Sequence, residues 1–287
     1  EAEYRLLLMT APLSPHDRVL LPTRIVAGVL IPFLVLAFFV LVPWPSDTKR
    51  LFAWEIRPTM SAMVLGSVYL GGAYFFFRVL RASRWHTVAG GFLPVATFAS
   101  LMGVTTVLHW SRFLHGNVAF WLWVGLYFTT PFLVLAIFLR NQREYPPSRD
   151  EDLRLSPGAA KAIVVTGGLS ALMCAFCYLF PHRAVSVWPW HLTPLTARVL
   201  GAIFALGLAG LGAARERRWS AARILFQVAG VMLFLILVAG VRARDEFDSA
   251  NPLTWLLAAG FVGTAVAMVV LYAGMEIRTR AAATASN

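Results

Sequence analysis

Charge is scarce in this chain, and acid is scarcer still. Asp, Glu, Lys and Arg make up 14% of its 287 residues, against 59% hydrophobic residues and a mean hydropathy of +0.69. That dilution excludes an ordinary soluble domain, whose charged share is about 25%. Short segments of alternating polarity are missing too, which excludes a membrane β-barrel. What fills the chain instead is eight long apolar runs. They lie at about 24–44, 60–80, 86–108, 117–139, 160–180, 194–213, 221–241 and 253–275, each near the roughly 20 residues a bilayer-spanning helix needs.

The centres of these runs hold no Asp, Glu or Lys. An ionisable residue inside a bilayer is the usual mark of function. Its lack argues against a proton-coupled carrier, which needs a buried carboxylate, and against a retinal protein, which needs a mid-helix lysine. An ion channel wants a polar lining or a loop filter. The mid-helix polar groups here are Thr97, Ser100, Thr105, Thr106, Thr129, Thr130, Gln227 and Thr264. Most are hydroxyls able to bond their own helix backbone.

Cysteine is limited to Cys174 and Cys177. That rules out a disulfide framework. Three residues apart on one helix, the two face the same side. They read as small buried residues rather than as a redox or metal pair. Also missing are Gly-x-Ser-x-Gly, His-Glu-x-x-His and any phosphate-cradling loop. The pairs Gly71-Gly72, Gly90-Gly91 and Gly167-Gly168 fall within helices and suit close packing. No catalytic residue is assigned.

The net charge of +11 would point to nucleic acid in a soluble chain. Here a membrane explains it better. Of the 25 Lys and Arg, 17 fall on the side of both termini and 8 on the other. The positive-inside rule places both termini in the cytoplasm, and an even helix count agrees. Residues 1–23 lack an apolar run beside a small-residue cleavage site. The first helix is expected to serve as its own signal, and Met9 opens a stretch that reads as a start.

The chain is also one pattern written twice. Trp54-Glu55-Ile56-Arg57-Pro58, Gly66, Trp85, Phe113, Asn117 and Trp121 recur as Trp190-His191-Leu192-Thr193-Pro194, Gly201, Trp219, Phe247, Asn251 and Trp255. The offset is 136 at the first Trp and the Pro, 135 at the Gly, and 134 from Trp85 onward. The expected fold is all-α: eight transmembrane helices as two parallel four-helix repeats, 1–147 and 157–287. A solvated cytoplasmic linker at 148–156 joins them, preceded by Tyr145-Pro146-Pro147. Four helices per copy make the repeats parallel, related by an axis along the membrane normal. The copies differ in their prolines: Pro32, Pro94 and Pro131 fall inside helices of the first copy only. The second carries small residues such as Gly201, Gly207 and Gly210, which suit close helix packing.

Trp44, Trp54, Trp110, Trp121, Trp188, Trp190 and Trp255 gather at the expected outer boundary and read as an aromatic belt. For the repeat-related Trp54, Trp121, Trp190 and Trp255, packing within each four-helix unit is the preferred reading. Polar residues collect on the same side. The first copy has Glu55, Arg57, His109, Arg112 and His115. The second has His191, Arg198, Arg242, Arg244, Asp245, Glu246 and Asp248. The candidate ligand-binding residues are Trp54, Glu55, Arg57, His109, Arg112, Trp190, His191, Arg198 and Asp245. For Arg198 three roles are open: snorkelling to phosphate, an ion pair with Asp245 or Glu246, or a substrate or lipid-headgroup contact. His109 and His86 end the same helix, an arrangement that superficially suggests a haem pair. Haem between helices wants histidines on facing helices at matching depth, whereas His16, His115, His182 and His191 fall in loops or at helix starts. No metal is expected. No cofactor is expected either, with haem or a pigment as the alternative.

The strings Trp188-Pro189-Trp190-His191-Leu192-Thr193-Pro194-Leu195-Thr196-Ala197-Arg198 and Leu108-His109-Trp110-Ser111-Arg112-Phe113 carry a likeness. Over most of its length the chain resembles a group of multi-pass membrane proteins of high-GC bacteria, such as actinobacteria, to which no activity is attached. The resemblance implies a bacterial inner-membrane protein and no catalytic residue. The leading expectation is a non-enzymatic membrane protein that binds a lipid-like or apolar molecule or scaffolds a membrane complex. Its partners would be membrane lipids, other membrane subunits or a second copy, and not nucleic acid. A small-solute transporter would instead line a cavity with Pro32, Pro94, Pro131, Thr105, Thr106, Thr129 and Thr130. An outer-leaflet lipid-modifying enzyme would bring Glu55, His109 and Arg112 together.

Overall fold

The computed structural model describes residues 17–144 and 152–285. Met9, His16 and residues 145–151, which include 148–151 of the expected linker, lie outside the described residues. The chain is all-helical, and eight of its helices are long and apolar enough to cross a membrane. They are α1 (Leu21–Leu41), α2 (Thr59–Arg81), α3 (His86–Leu108), α4 (Val118–Glu144), α5 (Pro157–Leu179), α6 (Pro194–Glu216), α7 (Trp219–Arg242) and α8 (Pro252–Ala285).

Proline and hydroxyl residues set the starts. Pro157 and Pro194 each open a helix behind Ser156 and Thr193, whose side chains accept from the third helical N–H. Proline costs nothing there, because those N–H groups have no helical partner. Pro58 likewise sits immediately before α2. Both Trp-x-x-x-Pro motifs therefore mark helix starts.

Two of the long helices are interrupted. α3 breaks at Gly90-Gly91 and resumes at Phe92. This corrects the placing of Pro94 inside a helix: it sits in the first turn of the resumed segment, where a missing N–H is harmless. The break also admits Phe75, whose ring would collide with a Cβ on Gly91. α6 breaks between Ala205 and Leu208, and Pro32 and Pro131 lie within α1 and α4.

α2 packs between α1 and α7, and α6 between α5 and α3. α4 covers α3, and α8 leans on α7. At least half of the apolar stretch is buried in α2, α3 and α6, and none in α8. Small residues permit the closest approaches. A Cβ on Gly201 would lie 3.0 Å from the Tyr178 backbone N and 3.1 Å from the Cys174 carbonyl oxygen. A Cβ on Gly71 would lie 2.5 Å from Cγ of Met232 on α7.

The tryptophans divide. Trp44, Trp110, Trp121 and Trp255 are exposed, as a belt requires, but Trp54, Trp188 and Trp190 are buried. The belt reading fails for Trp188. Trp54 and Trp190 pack in the core, the reading preferred for them, whereas the same packing reading fails for Trp121 and Trp255, which are exposed. Trp54 sits among Phe52, Phe113 and Trp123, and Trp190 between Trp188 and Phe247.

Candidate functional site

Two faces can be defined by the chain itself. The terminal face carries Asp17, the α2–α3 turn, the α6–α7 turn and the end of α8. The opposite face carries the α1–α2, α3–α4, α5–α6 and α7–α8 connections.

On the terminal face, Asp17 accepts from the His86 N–H at 3.1 Å and pairs with His86 Nδ1 at 2.6 Å, both residues buried. Asp152 meets Ser220 in the corresponding place, accepting from its N–H and hydroxyl. Trp85 donates its indole N–H to Gln142, and Trp219 donates to Glu276. Deeper, Gln227 of α7 accepts from Tyr74 (2.9 Å) and Arg78 (2.6 Å) of α2 and donates to Tyr272 of α8 (2.7 Å). Arg223 closes this network through Glu276 at 2.7 Å. The network is satisfied within the protein and ties α2, α7 and α8 together.

On the opposite face, Asn117 donates to the Arg50 and Phe52 carbonyls, and Asn251 to the Val187 carbonyl. Their side-chain oxygens accept from Ala119 and Leu253. Trp121 and Trp255 each donate to the carbonyl six residues before them. Cross-links then run between the chain's two halves. Trp190 donates to the Ser61 hydroxyl at 2.9 Å, and Arg242 to the Val42 carbonyl at 2.8 Å. The Glu246 carboxylate accepts from the Thr59 N–H (2.9 Å), the Thr59 hydroxyl (2.7 Å) and the Met60 N–H (2.8 Å), and so caps α2.

The candidate residues fall into separate groups. Glu55 and Arg57 pair with each other at 2.7 Å, both exposed. Asp245 is exposed and 3.6 Å from Arg244, and His191 is exposed. Trp54 and Trp190 are core residues. His109 and Arg198 are brought together: Arg198 Nη1 lies 2.6 Å from His109 Nε2. An ion pair of Arg198 with Asp245 or Glu246 is not formed, because Glu246 is spent on α2. The Arg198 Nε is buried and has no partner. Arg112 and His182 stand close enough to act on His109. Burial first, then the Arg198, Arg112 and His182 charges, hold the His109 pKa below the ordinary imidazole value. This is a cluster of cationic groups. Glu55 lies elsewhere, in its pair with Arg57.

A second feature lies between α1 and α4. Phe33, Leu36 and Val40 face Leu122, Trp123 and Leu126 across an apolar crevice floored by Tyr69. The Tyr69 hydroxyl is bonded to that of Tyr127 at 2.8 Å. Of the threonines considered for a pathway, Thr105 bonds Tyr178, Thr106 bonds Met102 and Trp123, and Thr129 bonds its own helix at Gly125. Sequence reasoning did not find the crevice, since alternate faces of two apolar helices carry no distinguishing residue types. Its one polar trace was the pair Tyr69 and Tyr127. Among the described residues, no three His, Cys, Asp or Glu side chains are grouped to hold a metal ion.

The chain thus falls in the class of all-helical, multi-pass membrane proteins, with eight candidate spans. No family model, curated protein or solved structure matches it.

Proposed function

We propose that the chain is a bacterial inner-membrane protein of two parallel four-helix repeats with cytoplasmic termini, and that it holds a lipid-like amphiphile without catalysing a reaction. The repeat is supported by contacts that recur at the offsets of the sequence pattern. Asn117 and Asn251, Trp121 and Trp255, Trp85 and Trp219, and the single bridges Arg18↔Arg84 and Arg154↔Arg218 all make matching bonds. The orientation is supported by the charge asymmetry.

One observation carries the binding reading: the apolar crevice between α1 and α4. In a bilayer its mouth would open sideways onto acyl chains. Its upper end meets the aromatic packing of Phe52 and Trp123, and its lining is apolar apart from the Tyr69 hydroxyl. With about 70 Å³ open, the groove takes a few methylenes of one hydrocarbon chain and not a whole ligand.

The test is photolabelling in bilayers containing a phospholipid with a photoreactive acyl chain. Phe33, Leu36 and Leu122 are expected to be labelled several-fold above Val266 and Val269, which are exposed on α8. Leu36→Trp, which fills the crevice, should suppress that excess. Equal labelling of crevice and α8, unchanged in the variant, would rule the reading out.

A further inference from the structure

The two junctions between the halves are built alike but charged oppositely. At one, the segment after α7 lays Glu246 against the start of α2, where its carboxylate takes three hydrogen bonds. At the other, the segment after α3 carries Arg112 at the position 134 residues before Glu246. Arg112 is exposed at the end of α3, and its charge acts on His109, which meets Arg198 at the α3–α6 junction. An anion supplied by the protein at the first junction is thus replaced by a cation at the second.

The surroundings of the second junction do not restore the balance. His109 touches Arg198, and the charged groups acting on it are Arg198, Arg112 and His182. The acids on this face are engaged elsewhere: Asp47 with Arg50, Glu55 with Arg57, Glu246 with α2, Asp245 beside Arg244, and Asp248 on the Ala250 N–H. Arg198 spends one terminal nitrogen on a neutral imidazole nitrogen, and its buried Nε is left without an acceptor. A buried guanidinium donor with no acceptor is costly, more so beside like charges. The Nε is closed off from outside, so a bound oxyanion would take its hydrogen bond from the second terminal nitrogen of Arg198, which no protein group uses, and would offset the Arg198 and Arg112 charges. The hydroxyls of Thr193 and Thr196 bond each other at 3.0 Å at the start of α6, which leaves one O–H of the pair free to donate.

We propose that the α3–α6 junction on the face opposite the termini is a binding site for a phosphate-type oxyanion, held by Arg198 with Arg112 and His182. The group is either a lipid headgroup phosphate or a free phosphate. This site is separate from the α1–α4 crevice, and either can fail without the other.

The experiment is a thermal-shift titration of the full chain in neutral detergent. One arm uses inorganic phosphate, with chloride at matched ionic strength. The other uses mixed micelles containing short-chain phosphatidylglycerol or, as control, phosphatidylcholine. A saturable rise in Tm with phosphate beyond chloride identifies a free anion. A rise with phosphatidylglycerol alone identifies a headgroup. Arg198→Gln and Arg112→Gln should each weaken the apparent affinity about tenfold. Lys49→Gln, an exposed charge on the same face, should leave it unchanged. Arg112 is exposed, so Arg112→Gln keeps the test alive if Arg198→Gln does not fold. No saturable shift in either arm, a shift equal to that of chloride, or the same loss in Lys49→Gln overturns the proposal.

Discussion

Two side chains decide the seam between the halves: Glu246, which caps α2, and Arg198, which meets His109. Arg198 and His109 stood out because ionisable groups near an apolar helix are conspicuous. Their meeting across α3 and α6, 89 positions apart, follows from packing and from no local pattern. Glu246 looked like a partner for Arg198 and instead caps α2, since three donors at a helix start outbid a distant guanidinium. Glu246→Ala should cost about 1–2 kcal/mol of stability, and Glu246→Gln, which keeps one acceptor oxygen, visibly less. Chemical denaturation in detergent measures both, and equal values for the two variants would refute the capping account. His109 adds a pH dependence. Its folded pKa is lowered, so as pH falls below about 6.5 the unfolded chain takes up the proton first. The contribution to stability is complete above that pH and is lost as pH falls through the window down to the folded value. Wild-type Tm should therefore fall more steeply than that of His109→Gln between neutral and mildly acidic pH. Parallel profiles would show that neither burial nor the neighbouring Arg198, Arg112 and His182 lowers the pKa of this imidazole.

At the level of elements, composition and run length were enough. Eight apolar runs became eight helices with boundaries close to the expected ones, because a helix long enough to span a bilayer must be written as one uninterrupted apolar stretch. Interruptions were less legible. Gly90-Gly91 was read as a packing feature within a helix; the helix breaks there, and Phe75 packs where a Gly91 Cβ would lie. Gly201 was read correctly as a close-packing residue, and the structure shows why: it faces backbone atoms of α5, which cannot rotate aside as a side chain can. Gly201→Val should thus lower stability by about 1–3 kcal/mol through overpacking. Gly125→Val, on α4 with nothing within 4 Å of its Cβ, should be close to neutral. Comparing the two unfolding midpoints checks this, and similar losses in both would mean that the α5–α6 approach is not what glycine serves.

For the whole molecule, the proposed two-fold relation makes a demand that no single contact makes. Trp190 of the second half donates its indole N–H to Ser61 in the first turn of α2. If the halves are related as proposed, Trp54 should aim its indole N–H at the residue 136 positions after Ser61, which is Ala197 in the first turn of α6. Ala197 has no hydroxyl, and Trp54 Nε1 is buried without a partner. The orphaned indole is then a symmetry partner that lost its acceptor when the copies diverged, and restoring the acceptor should help. Ala197→Ser adds one oxygen and is expected to raise stability by about 1 kcal/mol, the net worth of a hydrogen bond that relieves an unpaired buried donor. Ser61→Ala, which orphans Trp190 in the same way, should lower it by about 1–3 kcal/mol. Combining Ala197→Ser with Trp54→Phe separates the hydrogen bond from packing, because the gain must vanish once the indole N–H is gone. A loss of stability in Ala197→Ser, or a gain that persists without Trp54, would mean that the seam between the halves does not obey the two-fold relation written in the sequence.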